Sequence, residues 1–158
     1  MFSFEIFPKL KTERLLLRSL TFNDVETIFE LRSNEEINKF VPTKRVQNFE
    51  EAKNFITLCN NRYKEKKRVF WLIEFENKII GSIVLHKISL ENNYGEIGYK
   101  LKTAFHKKGI MSEAVKEVLK FGFQEMGLKI IARMKYDATK PDHFLFNRFK
   151  VSLIFFPK

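Results

Sequence analysis

One stretch, from Tyr94 to Met126, constrains the fold more than any other part of this 158-residue chain. It begins with a run typical of a short strand, residues 96–101, in which Gly98 favours a bulge or the close approach of another backbone. A polar turn follows, and small or apolar residues then recur every three or four positions: Met111, Val115, Val118, Gly122 and Met126. This period predicts a helix, so that strand, glycine-containing turn and helix follow one another directly.

The turn that opens this helix, residues 107–112, carries the residue types of a phosphate site. The first amides of a helix have no carbonyl partner four residues back, and the helix dipole places partial positive charge behind them. Gly109 lacks the Cβ that would hold a phosphate away, and Lys107 and Lys108 add two cations beside it. A solvated loop that merely starts a helix satisfies the same pattern, because one glycine is a weaker signal than a multi-glycine motif.

The same residues resemble the acetyl-CoA motif of the Gcn5-related N-acetyltransferases (GNAT), in particular the branch of the ribosomal-protein N-terminal acetyltransferases (RimJ/RimL-like). The match is carried by Glu96-Ile97-Gly98-Tyr99 and by residues 106–114, in which Gly109 takes the place of the first required glycine. His106 and Met111 stand where the family usually has other residue types. Residues 12–18 are similar to the opening strand of that branch, so the resemblance covers about residues 10–136.

The length of the chain predicts one domain over residues 1–158, and the resemblance implies its fold. That fold is α/β (α+β): a mixed, mostly antiparallel sheet of about six to seven strands flanked by helices, with a divergent or shortened C-terminal end. The resemblance also implies acetyl-CoA as the co-substrate and no metal. The residues expected to bind it are Ile97, Gly98, Tyr99, Lys100, Leu101, His106, Lys107, Lys108, Gly109, Ile110, Met111 and Ser112.

The implied reaction moves an acetyl group from a thioester to a primary amine, which requires a neutral amine and a stabilised oxyanion. In the family a bulged strand directs a backbone N–H toward the thioester carbonyl, and we place this donor within residues 97–99. Glu96 lies beside the expected bulge and is the candidate catalytic residue, accepting the ammonium proton directly or through water. The alternative is a strand glutamate that faces solvent or pairs with a lysine.

No general acid is assigned from the sequence. The tyrosine that relatives use in their closing helix corresponds to Phe146 in this chain. The sequence position of Tyr136 does not by itself identify this residue as the general acid. The three histidines, His86, His106 and His143, are isolated, so neither a metal triad nor a Ser/His/Asp arrangement is expected.

Composition limits the other partners. Cys59 is the only cysteine, which excludes intrachain disulfides and cysteine-rich metal sites. A net charge of +10 suits nucleic acid, an acidic protein or an anionic cofactor, but the one dense basic run, residues 64–68, ends a predicted helix, and nucleic acid is not expected. No apolar run approaches the roughly 20 residues of a membrane span, and no signal-peptide layout is present. We therefore expect a cytoplasmic protein without a membrane partner.

The remaining segments predict alternating helices and strands. In chain order they are a strand within residues 10–19, a helix over 25–32, a loop over 34–48, a helix from the Asn48 cap to about residue 66, a hairpin of strands over 69–75 and 79–85, and strands over 128–136 and 151–156. The hairpin leads into the Glu96 strand, so three antiparallel strands are expected side by side.

The acceptor amine stays open at this point. It is either a protein N-terminal α-amine or a small amine such as a polyamine, an amino acid or an antibiotic. A non-catalytic CoA-binding or interaction domain is a further alternative, because residues 140–151 match the closing motif of the family weakly. The tail holds a dense set of apolar residues, which favours packing on the sheet or a contact between two copies in a homodimer; they are Phe144, Leu145, Phe146, Phe149, Ile154, Phe155 and Phe156.

Overall fold

A computed structural model of the chain describes residues 2–39, 43–136 and 149–155. Its strands form one seven-stranded sheet in chain order: β1 (Leu10–Lys11), β2 (Leu15–Arg18), β3 (Val69–Phe75), β4 (Lys78–Ser89), β5 (Tyr94–Leu101), β6 (Ile130–Tyr136) and β7 (Phe149–Phe155). The α-helices in these ranges are α1 (Val25–Ser33), α2 (Phe49–Lys64) and α3 (Ile110–Lys120), and α3 continues into a wider π-helical turn over Phe121–Glu125. The elements predicted in the described ranges are present, with bounds shifted by a few residues.

The sheet is mixed and mostly antiparallel, which confirms the predicted fold class. Every neighbouring pair of strands is antiparallel except β5 and β6, which run parallel. The predicted hairpin is β3–β4, and its turn residues Glu76 and Asn77 have φ values of 49° and 62°. Positive φ at both central residues matches the twist of a two-residue hairpin, so the turn aligns the strands directly.

Side-chain alternation along the strands divides the core into two halves. Trp71 and Ile73 of β3 point to one face, which α3 covers, whereas Phe70 and Leu72 point to the opposite face, which α1 and α2 cover. We refer to these as the α3 face and the α1–α2 face. Each helix buries one apolar stripe against the sheet, so the sheet separates two compartments that meet only at its edges and openings.

β5 and β6 lie side by side over only half of β5. Their register runs from Tyr94–Ile130 to Ile97–Arg133. β5 continues to Leu101 and stays paired with β4, whereas β6 pairs with β7 along its whole length. The two parallel strands therefore separate beyond Ile97, and an edge of β5 is open in the middle of the sheet.

The bulge expected in β5 beside Glu96 is absent from the pairing of this strand with β4. The β4–β5 register is unbroken from Gly81–Leu101 to His86–Glu96, and it shifts between His86 and Ser89 on β4 instead. Lys87 carries a φ of 48°, so the extra residue sits in a left-handed conformation there. Gly98 fits a regular strand, because a glycine in a strand pattern signals a bulge or a close approach without distinguishing them.

The predicted last strand is present as β7, at the edge of the sheet. Residues 137–148, which include His143, Phe146 and most of the weakly matching closing segment, lie outside the described ranges. The side chains of the tail are not described either, so the predicted contact between two copies stays a prediction.

The entrance to α1 is fixed by a buried carboxylate. Thr21 and Asp24 form a capping box, and the Asp24 side chain also accepts hydrogen bonds from Arg18 Nη1 and Nη2 at 3.0 and 2.9 Å. Burial raises the pKa of Asp24, but the hydrogen bonds from Arg18 and from the Thr21 amide outweigh it and hold the pKa below its ordinary value. Asp24 thus joins β2 to the start of α1.

Replacing Asp24 by Asn is expected to lower the free energy of unfolding by about 2–4 kcal/mol at neutral pH, because Arg18 loses its paired charge. The loss of unfolding free energy should become smaller at acidic pH. The depressed pKa means that the carboxylate stabilises the fold above its unfolded pKa near 3.8, and the stabilisation disappears as pH falls through the folded pKa. Urea unfolding at several pH values measures both effects. Glu74→Gln, which removes the more exposed partner of Arg18, is the control, and an Asp24→Asn variant no less stable than this control would contradict the assignment.

Candidate functional site

The connection between β5 and α3 forms a cluster of unpaired amides. Lys107 and Gly109 have φ values of 61° and 73°, and successive turns of this kind direct neighbouring N–H groups into a shared concavity. The first hydrogen bond of α3 runs from the Glu113 amide to the Gly109 carbonyl at 3.1 Å. Within the described residues, the amides of residues 107–112 donate to no carbonyl, so the loop can receive an anion.

A pocket of about 420 Å³ lies against this loop. It brings together most of the predicted cofactor-binding residues and adds Ile37 and Phe105; its lining is Ile37, Tyr99, Lys100, Leu101, Phe105, His106, Lys107, Gly109, Ile110, Met111 and Ser112. Ile97, Gly98 and Lys108 do not line it. Ile97 is buried in the core on the α3 face, and the Lys108 ammonium lies 5.5 Å from the centre of the Phe105 ring. The predicted catalytic residue Glu96 also lies outside the pocket, toward the other end of β5.

Gly109 is required by the backbone at the start of α3. Its φ of 73° is a conformation that L side chains rarely adopt, so any other residue would be strained there. A Cβ at this position would meet only the Arg14 guanidinium, at 3.6 Å, and would otherwise stand free beside the amide cluster. The glycine therefore serves the loop conformation and leaves its concave side clear.

Sequence analysis missed the network that holds this loop in place. Glu113 accepts hydrogen bonds from Thr12 Oγ1 at 2.6 Å, from the Arg14 amide at 2.9 Å and from Arg14 Nε at 2.7 Å. Arg14 Nη1 donates in turn to the Lys108 carbonyl at 3.1 Å. Burial raises the pKa of Glu113, but these bonds outweigh it and hold the pKa below its ordinary value. The ionised Glu113 thus ties the loop to the segment before β2.

His106 supports the other end of the loop. Its Nε2 lies 3.0 Å from the Leu101 carbonyl, and with the proton on that nitrogen it donates to the last residue of β5. The imidazole of an exposed residue is thereby fixed against the strand end. Leu101 and His106 together hold the start of the connection close to the pocket.

The open edge of β5 presents a main-chain donor. The Asn93 carbonyl accepts from the Ile130 amide toward β6, and the Lys102 amide donates to the Ile80 carbonyl toward β4. Main-chain groups alternate along a strand, so odd-numbered residues of β5 face β6 and even-numbered residues face β4. The last pair with β6 is Ile97–Arg133, and Tyr99 is therefore the first residue whose N–H faces the opening.

Glu96 lies on the α1–α2 face and is buried, at 8% exposure. Its Oε1 accepts a hydrogen bond from the Tyr94 hydroxyl at 3.0 Å. Its Oε2 accepts no hydrogen bond from the described residues, although the Lys87 ammonium lies 3.3 Å away and His86 Nε2 lies 3.9 Å away. A solvent-facing Glu96, the first of the two alternatives, is not observed, because the side chain is buried. The second alternative, a contact with a lysine, is present at Oε2.

The pKa values of His86 and Tyr94, two neighbours of Glu96, are shifted in the directions that keep both side chains uncharged. Burial lowers the pKa of His86, which the Glu96 charge only partly offsets. Burial, and then the hydrogen bond to Glu96, raises the pKa of Tyr94. Of the two Glu96 oxygens, only Oε1 accepts a hydrogen bond from the described residues.

Lys100 lies on the same face two strand positions beyond Gly98 and is also buried, at 8% exposure. Its ammonium donates to Thr43 Oγ1 at 3.2 Å. Burial, and after it repulsion from Arg32 and Arg45, lowers the pKa of Lys100 to about 7. Sequence analysis placed this lysine only among the cofactor-binding residues, because a single lysine in a strand carries no sign of the charges around it.

Replacing Lys100 by Met is expected to stabilise the fold in acid and to have little effect in base. The folded-state pKa of about 7 lies below the unfolded value of 10.5, so the charged lysine opposes folding fully below pH 7, and the penalty vanishes as pH approaches 10.5. The gain should reach roughly 5 kcal/mol near pH 6. Thermal or urea unfolding across this range measures it. Lys102→Met is the control, since Lys102 is paired with Glu30, and a gain that does not vary with pH would contradict the prediction.

The described residues contain no group of three or more His, Cys, Asp or Glu side chains able to hold a metal ion. Among the helices in the described ranges, none combines the length and the apolar character that crossing a membrane requires.

Comparison with known proteins places this geometry in a family. Residues 14–139 match the profile of the acetyltransferase (GNAT) domain, and this range contains the loop, the pocket and Glu96. The uncharacterised N-acetyltransferase YoaA of Bacillus subtilis (strain 168) is 32% identical over 133 residues, which cover 83% of this chain and 75% of that protein.

Solved structures of acetyltransferases share this fold. An acetyltransferase of the GNAT family from Bacillus anthracis is 30% identical, with a TM-score of 0.69 over 89% of this chain and 81% of that one. RimL, an alpha-N-protein acetyltransferase of a ribosomal protein, solved in complex with coenzyme A, is 16% identical with a TM-score of 0.76 over 89% of this chain and 82% of that one. The free amides and cations of the β5–α3 loop are what the phosphates of such a cofactor require. With the profile spanning most of the chain, the protein belongs to the GNAT family of N-acetyltransferases, which use acetyl-CoA as the acetyl donor.

Proposed function

We propose that this protein acetylates the α-amine at the N-terminus of a protein. The observation that carries the proposal is the opening between β5 and β6, which leaves the Tyr99 amide without a strand partner. This amide lies on β5 between Glu96 and residues 107–112, the anion-binding loop. The fold likeness to RimL, an enzyme of that acceptor class, supports the choice of acceptor. A small amine is the alternative acceptor.

Acetyl-CoA supplies the activated acetyl thioester, and the residues of this chain fit its charged half. The amides of residues 107–112 and the Lys107 ammonium would receive the pyrophosphate, because they form the open cationic concavity of the site. The backbone of residues 97–101 would bind the arm that joins the phosphates to the thioester, since its outer edge has no strand partner beyond Ile97. Met111 packs partly against the core and lines the pocket, so its side chain would flank the ligand.

Two groups on β5 would assist the transfer. Glu96 takes a proton from the acceptor ammonium, which frees the nitrogen lone pair to attack the acetyl carbonyl. The Tyr99 N–H faces the opening and stabilises negative charge that develops on the carbonyl oxygen. The new C–N bond forms, the C–S bond breaks, and the departing thiolate takes up a proton. Because Glu96 and Tyr99 belong to one rigid strand, their spacing is set by the strand geometry.

Release of free thiol from acetyl-CoA tests the function directly. Peptides with free N-termini, the same peptides with blocked N-termini, and a panel of polyamines, amino acids and aminoglycosides serve as acceptors. Thiol release with free peptides alone is expected. Preference for a small amine would overturn the protein acceptor, and binding of acetyl-CoA without release for any amine would favour a non-catalytic CoA-binding domain.

The loop assignment predicts that Gly109→Ala weakens acetyl-CoA binding by about tenfold, because a Cβ would stand beside the amide cluster and strain the backbone. Gly127→Ala is a matched control. Gly127 has a nearly identical φ of 74° and no atom within 4 Å of an added Cβ, so it carries the same backbone strain away from the pocket. Titration calorimetry compares the two variants. Equal affinity in both would remove the phosphate site from this loop.

The role of Glu96 predicts that Glu96→Gln lowers kcat/KM by about a hundredfold at neutral pH. Activity should partly recover at higher pH, where more of the acceptor amine is already neutral, and acetyl-CoA affinity should be unchanged. Glu91→Gln, an exposed change in the turn before β5, is the control. If the Glu96 variant kept wild-type turnover across the pH range, another group or water would be the proton acceptor.

A further inference from the structure

Three cations near the α1–α2 face have no carboxylate partner among the described residues, and two of them, Arg32 and Arg45, repel the third, Lys100. They come from separate elements: Arg32 from α1, Arg45 from the segment before α2, and Lys100 from β5. The Lys100 ammonium donates a hydrogen bond to a neutral hydroxyl, that of Thr43, and Arg45 Nη1 donates to the Asn34 carbonyl at 3.2 Å. Within the described residues no ion pair includes any of the three. Their charges are therefore uncompensated by the described fold.

Arg32 shows that this cluster is incomplete. Its guanidinium carbon stacks 3.8 Å above the centre of the Phe55 ring, which fixes the plane of the group. Its Nε is buried and has no hydrogen-bond partner. Burying a charged donor without a partner is strongly unfavourable, so the arrangement is stable in a complex that supplies an acceptor. The planar fork of an arginine matches the two oxygens of a carboxylate.

Two other cations near the acceptor face do have carboxylate partners. Lys102, two residues beyond Lys100, has its carboxylate partner in Glu30, at 3.1 Å. Arg18, on β2, is paired with both Asp24 and Glu74. Lys100, which lines the pocket, differs from them in being buried without a carboxylate.

The position of the cluster relative to Glu96 indicates what it binds. Side chains of Glu96, Gly98 and Lys100 share the α1–α2 face, because residues two apart on a strand point the same way. The α-carbons of Glu96 and Lys100 are separated by about 13 Å, from roughly 3.3 Å per residue. Gly98 leaves the strand between them without a side chain. A molecule lying along this surface would place its amine at Glu96 and its other end at Lys100.

We propose that the acceptor carries a carboxylate, an inference that rests on the proposed transfer to an amine. Lys100 and Arg32 bind this carboxylate on the α1–α2 face while the amine of the acceptor lies at Glu96. A polycationic amine would be repelled by the same residues. The carboxylate belongs to an acidic side chain near the N-terminus of a peptide, because the amine and the carboxylate of a free amino acid lie too close together to reach both Glu96 and Lys100.

The test compares isosteric acceptor pairs that differ only in charge. One series pairs peptides carrying Asp or Glu near the N-terminus with the Asn or Gln forms, and the other pairs free amino acids with their carboxamides. In the peptide series KM is expected to be tenfold or more lower for the acidic member, with similar kcat. Equal KM within the peptide series overturns the proposal, and so does a preference confined to the free amino acids, because it would place the carboxylate beside Glu96 and not at Lys100.

Lys100→Met and Arg32→Met are expected to remove the discrimination by raising KM for the acidic acceptor tenfold or more, with the Kd for acetyl-CoA unchanged. Lys100→Arg should retain most of it, because the charge is kept. Lys102→Met is the matched control and should leave the preference intact. A Lys100→Met variant that loses acetyl-CoA affinity and keeps its acceptor preference would assign the lysine to the cofactor and overturn the proposal.

A failure of the proposed function can be told apart from a failure of this inference. Calorimetric binding of the same acceptor pairs in the presence of CoA reads the carboxylate preference even where no thiol is released. Tighter binding of the acidic members, lost in Lys100→Met, supports the anion site without acetyl transfer. Equal binding of acidic and neutral members overturns it whatever the turnover.

Discussion

The separation of β5 from β6 is the constraint on which the rest of the site depends. β5 keeps β4 as a hydrogen-bonded neighbour along its length but loses β6 after Ile97, so the main-chain groups on its other edge have no strand partner beyond that point. Backbone polar groups inside a protein require partners, and an opening in the middle of a sheet is therefore a place for ligand or water. Because β6 is held to β7 over its full length, the opening is built into the sheet and does not depend on a mobile loop.

The opening also connects two compartments that the sheet otherwise separates. The anion-binding loop belongs to the α3 side, where Glu113 and Arg14 fasten it to the segment before β2. Glu96 and Lys100 face the α1–α2 side, where the acceptor would enter. In the proposed mechanism, one strand serves the donor through its main chain and the acceptor through its side chains, and strand alternation keeps the two sets of groups apart. This arrangement explains how a single rigid element can position both substrates.

Charge has a different role on each side of that strand. Lysines beside the loop are exposed and assist amides that already bind anions, so each contributes modestly. Lys100 and Arg32 are withdrawn from solvent, where an unpaired charge opposes folding and an arriving anion relieves that penalty. In the proposed acceptor site, the buried cations would favour an anionic ligand, which the net charge of +10 alone cannot reveal.

The sequence by itself determined what depends on near neighbours in the chain. The β3–β4 hairpin, the Asn48 cap and the glycine start of α3 follow from local conformational preferences and hydrogen bonds, and each is present where predicted. Only the tertiary structure decided that the irregularity lies at Lys87, because strand register depends on both partners. It also decided that Glu113 meets Arg14, and that Arg32 and Arg45 surround Lys100. These contacts join segments far apart in the chain, and no periodicity or motif records which side chains folding brings together.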